Sequence, residues 1–165
     1  MLKTRYYFDL EDTMIDTFMG NERFINIPYI KNFIKKYEIK EIHIFSRAIY
    51  GEKERKHFKY NILPRIESEF GVKVNTNILT NERLKRIICK NLKINMMSDL
   101  DFFNFFGKQD SFFHLVRFMI NEDIKNESFI LIDDMVDDIN ASFFKFGCNI
   151  LMKTINIRTL CEEYI

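Results

Sequence analysis

RYYFDLEDTMIDT, at residues 5–17, is the stretch from which the rest of the chain can be read. Tyr6, Tyr7 and Phe8 form a short, ungapped aromatic run, the pattern of a strand buried on both faces, and Asp9 falls at its carboxyl end. In open α/β sheets, ligands bind just beyond that end of the strands. The acidic, hydroxyl-bearing segment Asp9-Leu10-Glu11-Asp12-Thr13 begins there, so chemistry is expected at this rim.

Outward from this stretch, strands and helices alternate. Residues 16–27 hold a Gly20-Asn21 turn between the apolar pairs Phe18-Met19 and Phe24-Ile25, which predicts a small hairpin-like flap. Pro28 suits the first turn of a helix whose Ile30, Phe33, Ile34 and Tyr37 share one face. A second strand is expected over 41–46. A helix follows over 51–70, charged in its first half, kinked at Pro64 and stopped by Gly71. Residues 72–78 alternate as a third strand, and Thr80-Asn81 caps a helix over 82–93. Residues 94–107 have no clear period and read as a loop or short helix. A helix over 109–121, a buried strand over 128–133, a helix over 137–146 ended by Gly147 and a strand over 148–152 complete the order. This alternation predicts an α/β fold, a doubly wound, Rossmann-like parallel sheet of five strands in a single domain over 1–165.

Composition narrows the function classes. A chain of 165 residues, 47% hydrophobic with 5 Gly and 2 Pro, is long enough for one substantial core and is neither fibrous nor disordered. Twenty-five basic against 24 acidic residues leave a net charge of +1, so a polyanionic partner must be met by a local patch. Cys89, Cys148 and Cys161 lack metal-site spacing and read as free thiols of a reducing compartment. No apolar run approaches the roughly 18 residues of a membrane span, and the first residues lack a signal-peptide pattern, so a cytoplasmic protein with no membrane partner is expected. Heavy use of Phe, Ile, Lys and Asn suggests an AT-rich coding sequence such as many phages and low-GC bacteria carry.

The acids and hydroxyls at the strand ends carry a resemblance. Asp9-Leu10-Glu11-Asp12-Thr13 after its apolar strand resembles the first motif of the haloacid dehalogenase (HAD) superfamily, D-x-D-x-[TV], with Glu11 where the family has its second aspartate. Ile42–Phe45 followed by Ser46 resembles the second motif, and Lys108 stands where the third motif's lysine is expected, with Lys85 and Lys125 as competitors. Phe129 to Asp138 (FILIDDMVDD) resembles the fourth, with Asp133-Asp134 at the strand's end. Their order and their places at strand ends make the set specific, although each motif alone is common.

This resemblance implies a phosphatase-like member without a large cap, with any insertion small and at about 81–107. It implies Asp9 as a nucleophile that forms an aspartyl-phosphate, Glu11 as a compromised acid/base, and Ser46 and Lys108 as holders of the phosphoryl oxygens. Mg²⁺ is the implied cofactor, held by Asp9, the backbone carbonyl of Glu11, Asp133 and Asp134, with Thr13 and Asp138 supporting from behind. Adjacent acids at a buried strand end repel each other, so a cation or a lysine must neutralise Asp133 and Asp134 on physical grounds too.

Two functions follow from different classes. One is a Mg²⁺-dependent phosphomonoester hydrolase acting on nucleotides or nucleic-acid ends. The other is a catalytically impaired HAD-fold binding protein, for example a phage factor that meets host nucleic acid or transcription machinery. Arg47, Lys53, Arg55 and Lys56 are the candidate contacts to a phosphate backbone, although Glu52 and Glu54 are interleaved with them. Phe102, Phe103, Phe105 and Phe106 crowd both sides of any regular element and mark either core or a partner surface. His43, His57 and His114 fall on different elements and are given no role.

Overall fold

The computed structural model describes residues 3–120 and 127–163. In chain order it contains β1 (Lys3–Phe8), α1 (Ile27–Lys36), β2 (Glu41–Ile44), α2 (Glu52–His57), a π-helical turn (Phe58–Ile62) leading into α3 (Leu63–Phe70), and β3 (Lys73–Val74). Then come α4 (Asn81–Leu92), α5 (Asp99–Met119), β4 (Glu127–Asp133), β5 (Ile139–Lys145), β6 (Cys148–Asn156) and α6 (Ile157–Glu162). The strands form one sheet in the order β3-β2-β1-β4-β6-β5. All neighbours run parallel except β5, which pairs antiparallel with β6 at one edge.

Alternation along β1 sorts its rings between two cores. Tyr6 and Phe8 meet Phe33 of α1 edge-on at 5.9 and 6.3 Å, whereas Tyr7 meets Phe112 of α5 at 5.3 Å on the opposite face. Helices α1, α3 and α6 cover the first face through residues such as Ile30, Ile66 and Leu160, and α4 and α5 cover the second through Leu84, Ile88 and Phe112. Burying one such side chain stabilises by about 1.5–3 kcal/mol, so the two apolar layers are the principal favourable term. From β1 the chain winds outward to β2 and β3, then returns to place β4 on the other side of β1. The strand order therefore reverses between β1 and β4, and crevices at such points lie at the carboxyl ends.

The α/β class holds, but the sheet is mixed and six-stranded rather than parallel and five-stranded. The difference arises at 137–146, where a strand replaces the expected helix. Ala141 and Phe143 pack inward at a spacing of two, and a two-residue turn, Phe146-Gly147 with φ of 53° and 75°, returns the chain to β6. Left-handed conformations at both positions give the twist that joins antiparallel strands, so Gly147 is a hairpin glycine and not a helix stop.

Other boundaries move for local reasons. Residues 94–107 are largely helical: Ser98 caps α5 by accepting from the Asp101 amide at 3.2 Å, and Gly107, at φ 67° and ψ 179°, breaks the helix in two. Pro64 lies in the first turn of α3, where it needs no amide partner, and the irregularity expected there falls on the π-helical turn before it. The third strand shortens to Lys73–Val74 and the last lengthens to Asn156. The helix expected over 109–121 ends at Met119, and Asn121 and Lys125 lie outside the described residues. The flap forms, with Ile25 N–H donating to Met14 O and Asp16 N–H to Arg23 O, both at 2.9 Å. Among the described residues no helix is long and apolar enough to cross a membrane.

Candidate metal and phosphoryl site

Three adjacent strands carry the candidate residues to one rim of the sheet. Asp9 leaves β1 with its amide donating to Ile132 O of β4 at 3.0 Å, and the Phe45 amide donates to Phe8 O at 3.0 Å, which sets Ser46 beside it. The chain then tightens: the amides of Thr13, Met14 and Ile15 all donate to Leu10 O, at 3.2, 2.8 and 3.0 Å. This turn keeps Glu11 close enough to feel the charge of Asp9. Asp133 ends β4 and Asp134 follows it.

Carboxylate oxygens of Asp9, Asp133 and Asp134 lie within 4.8 Å of one another. Lys108 starts the second half of α5, and its buried Nζ donates to Asp9 Oδ1 at 3.0 Å and lies 2.9 Å from Asp133 Oδ2. The same ammonium therefore bridges Asp9 and Asp133. Lys85, the competitor for this place, is engaged elsewhere, with Asp99 at 2.7 Å.

Charge in this cluster is unbalanced, since one ammonium faces three acids. Burial penalises the Lys108 ammonium, but Asp9 and Asp133 outweigh that and raise its pKa. Burial raises the Asp133 carboxyl against the pull of Lys108, with Asp9 adding to the rise. Asp134 is pushed up to about 7 by burial and then by the charges of Asp133 and Asp9. Glu11 is raised by burial and by Asp9 and Asp12, while the Phe18 amide of the flap pulls the other way. A donor set of three carboxylates facing one ammonium, with negative charge left over, fits a hard divalent cation.

Beside this cluster, Phe45, Ser46, Arg47, Asn81, Lys108 and Ser111 line a small pocket. Ser46 Oγ accepts from the Ala48 amide at 3.2 Å and keeps its own hydrogen for another partner. Arg47 stacks its guanidinium 4.5 Å from the Phe103 ring centroid, and its Nη2 is enclosed without a hydrogen-bond partner. Burial lowers the Arg47 pKa while Asp133 and Asp9 oppose that shift, which puts the guanidinium within reach of the acids' field.

Other expected contributors sit further out. Thr13 is fully buried in the turn after Asp9, its hydroxyl without a hydrogen-bond partner. Asp138 does not contact Lys108: it accepts from the Asn156 amide at 2.7 Å and the Thr159 hydroxyl at 2.6 Å, tying β6 to α6. Lys53 and Lys56 are exposed on α2, and Arg55 pairs with Glu52 at 2.5 Å. Phe102 and Phe106 belong to the core and Phe103 lies under Arg47, so of that cluster Phe105, 74% exposed, is the one turned to solvent.

Asn156 was not foreseen. Its side-chain amide donates to Asp134 O at 3.1 Å and Val136 O at 2.9 Å, holding the loop that presents Asp134. In sequence it signals only a helix cap, a role it also fills by accepting from the Arg158 amide. Comparison with known proteins adds nothing to this geometry, since no family model, curated protein or solved structure matches the chain.

Proposed function

We propose that the chain is a Mg²⁺-dependent phosphomonoester hydrolase of the HAD type, acting on nucleotides or nucleic-acid ends through a phosphorylated Asp9. The observation that carries this reading is the meeting of Asp9, Asp133, Asp134 and Lys108 at one carboxyl rim from three separate parts of the chain. On this reading the five parallel strands β3-β2-β1-β4-β6 are the doubly wound core and β5 an addition at its edge. Helix α4 and the first half of α5 would be the small insertion in place of a large cap.

Asp9, Asp134 and the backbone carbonyl of Glu11 would hold Mg²⁺, with Asp133 beside them. Bound there, the cation supplies the positive charge that lets a carboxylate approach a phosphoryl dianion. The Asp9 carboxylate attacks phosphorus, the bond from phosphorus to the leaving oxygen breaks, and Glu11 gives that oxygen its proton. Glu11 then takes a proton from the water that hydrolyses the acyl phosphate and frees phosphate. The raised pKa of Glu11 suits a group that must begin protonated. Ser46, Lys108 and the free Nη2 of Arg47 hold phosphoryl oxygens as charge develops on them.

The test is Mg²⁺-dependent phosphate release from p-nitrophenyl phosphate and from 3′- and 5′-phosphorylated oligonucleotides. Asp9→Asn is expected to abolish release. Glu11→Asp is expected to raise it by up to about a hundredfold, because an ångström of misplacement in a proton-transfer group costs about that much. No release from either the natural chain or Glu11→Asp would sink the proposal.

The departure at Glu11 favours a second reading, in which turnover is lost and the fold binds a macromolecule through exposed α2 and Phe105. Under it, Asp9→Asn leaves function intact, while charge reversal at Lys53, Arg55 and Lys56 destroys it. Burial of Phe102 and Phe106 takes much of the apolar surface away from that reading.

A further inference from the structure

Behind the acidic rim, on the sheet face that α4 and α5 cover, the helices do not close down on the outer strands. A cavity of about 350 Å³ remains between them, within the range of small-molecule sites. Its floor is Tyr7 of β1 and His43 of β2, stacked with centroids 4.9 Å apart. Its apolar walls are Leu79, Ile87, Leu115 and Phe118, and Arg83, Asn77 and Asn91 stand among its polar lining.

Among the described residues the lining is rich in donors and contains no carboxylate. The Tyr7 hydroxyl has Met119 Sδ, at 3.9 Å, as its acceptor, and a thioether is a weak one. Arg83 is exposed and forms no ion pair with a described residue, whereas Arg5, the other cation on the wall, is already engaged by Glu127. An occupant that satisfies this set must bring an apolar body and an acceptor of negative charge.

We propose that this cavity is a second ligand site, for a small amphipathic anion: an aromatic or aliphatic body against Ile87, Leu115 and Phe118, with its anionic group at Arg83 and an acceptor atom at the Tyr7 hydroxyl. The site is separate from the metal and phosphoryl site but shares a wall with it. Phe45 and Leu79 line both, and the Phe45 ring centroid lies 5.3 Å from Lys108 Nζ.

The full chain is titrated with 8-anilinonaphthalene-1-sulfonate, an aromatic monoanion, followed by its fluorescence. Saturable binding of one molecule per chain is expected, unchanged by Asp9→Asn. Arg83→Glu, at an exposed position, should weaken it at least about tenfold, the scale of a lost charge-assisted contact. Ile87→Trp, which fills the cavity, should do the same, while Arg86→Glu on the same helix but outside the cavity should change nothing. The neutral analogue N-phenyl-1-naphthylamine should bind at least about tenfold more weakly than the sulfonate. Unsaturable uptake, equal binding of the neutral analogue, or binding unmoved by Arg83→Glu in a variant that melts like the natural chain would each overturn the proposal. Should Ile87→Trp not fold, Arg83→Glu and the neutral analogue decide the matter by themselves.

Discussion

Lys108 is a buried cation whose ammonium is shared between two acids, and its removal exposes what each costs. Lys108→Met would leave Asp9 and Asp133 facing each other without compensation, and breaking a buried pair from one side typically costs about 3–5 kcal/mol. Urea unfolding near neutral pH without divalent ions is expected to show a loss of that order. The loss should shrink when Asp9→Asn is added, because the repulsion then goes. A second expectation concerns Asp134. Because folding raises its carboxyl from 3.8 to about 7, the folded state binds more protons than the unfolded one across that window. Its contribution to stability is therefore present at low pH and is lost as pH rises through the window. In EDTA the melting temperature should fall between about pH 5 and about pH 7.5, and Mg²⁺ should restore it at the upper pH with little effect at the lower. Asp9, Asp133, Asp134 and Lys108 were legible in the sequence because each follows or precedes a strongly patterned element. Asn156 was not, since its bonds to Asp134 and Val136 join segments that sequence periodicity does not relate.

At the scale of elements, two glycine-bearing breaks carry consequences. Gly107 divides α5 in a backbone region that is essentially closed to other residues, at φ 67° and ψ 179°, and Lys108 is the next residue. A methyl group there would meet no atom within 4 Å, so the cost of Gly107→Ala is conformational and about 1–3 kcal/mol. Relief of that strain would turn Lys108 out of the cluster, and Mg²⁺ affinity measured by calorimetry should change together with stability. The turn of the β5–β6 hairpin predicts the opposite sign. Phe146 holds φ 53° while 44% exposed, so Phe146→Asn is expected to stabilise by about 0.5–1 kcal/mol, because Asn-Gly is the favoured pair for such a turn. A helix ended by Gly147 is the expectation over this stretch, but the spacing of two between Ile139, Ala141 and Phe143 is that of a strand, and Gly147 serves a hairpin. Residues 94–107, expected as a loop or short helix, are a loop followed by a short helical piece that ends at Gly107. Phe102 and Phe106 point inward while Leu100 and Phe105 are exposed, so the apolar stripe that reveals an amphipathic helix is blurred.

For the molecule as a whole, the alternation of buried strands with helices was enough to foresee an α/β sheet with β1 covered on both faces, because such strands are written as apolar runs. The edge was not foreseeable in the same way, since β5 is covered on one face only and its residues alternate between exposed and half-buried with none fully buried. Central placement of β1 also governs how the chain is born. Thr4 and Ser128, whose hydroxyls meet at 2.7 Å, are separated by 124 positions, and β4 supplies the full length of β1's second neighbour. At a ribosomal pace of roughly 5–20 residues per second, β1 waits roughly 6–25 s for that neighbour to emerge. During this interval an aromatic strand has an open side and Asp9 lacks both its lysine and its companion acids. A fragment ending at residue 120 should accordingly scatter light and be captured by chaperones, and on the proposed reading a divalent cation should bind only once Asp133 and Asp134 have emerged.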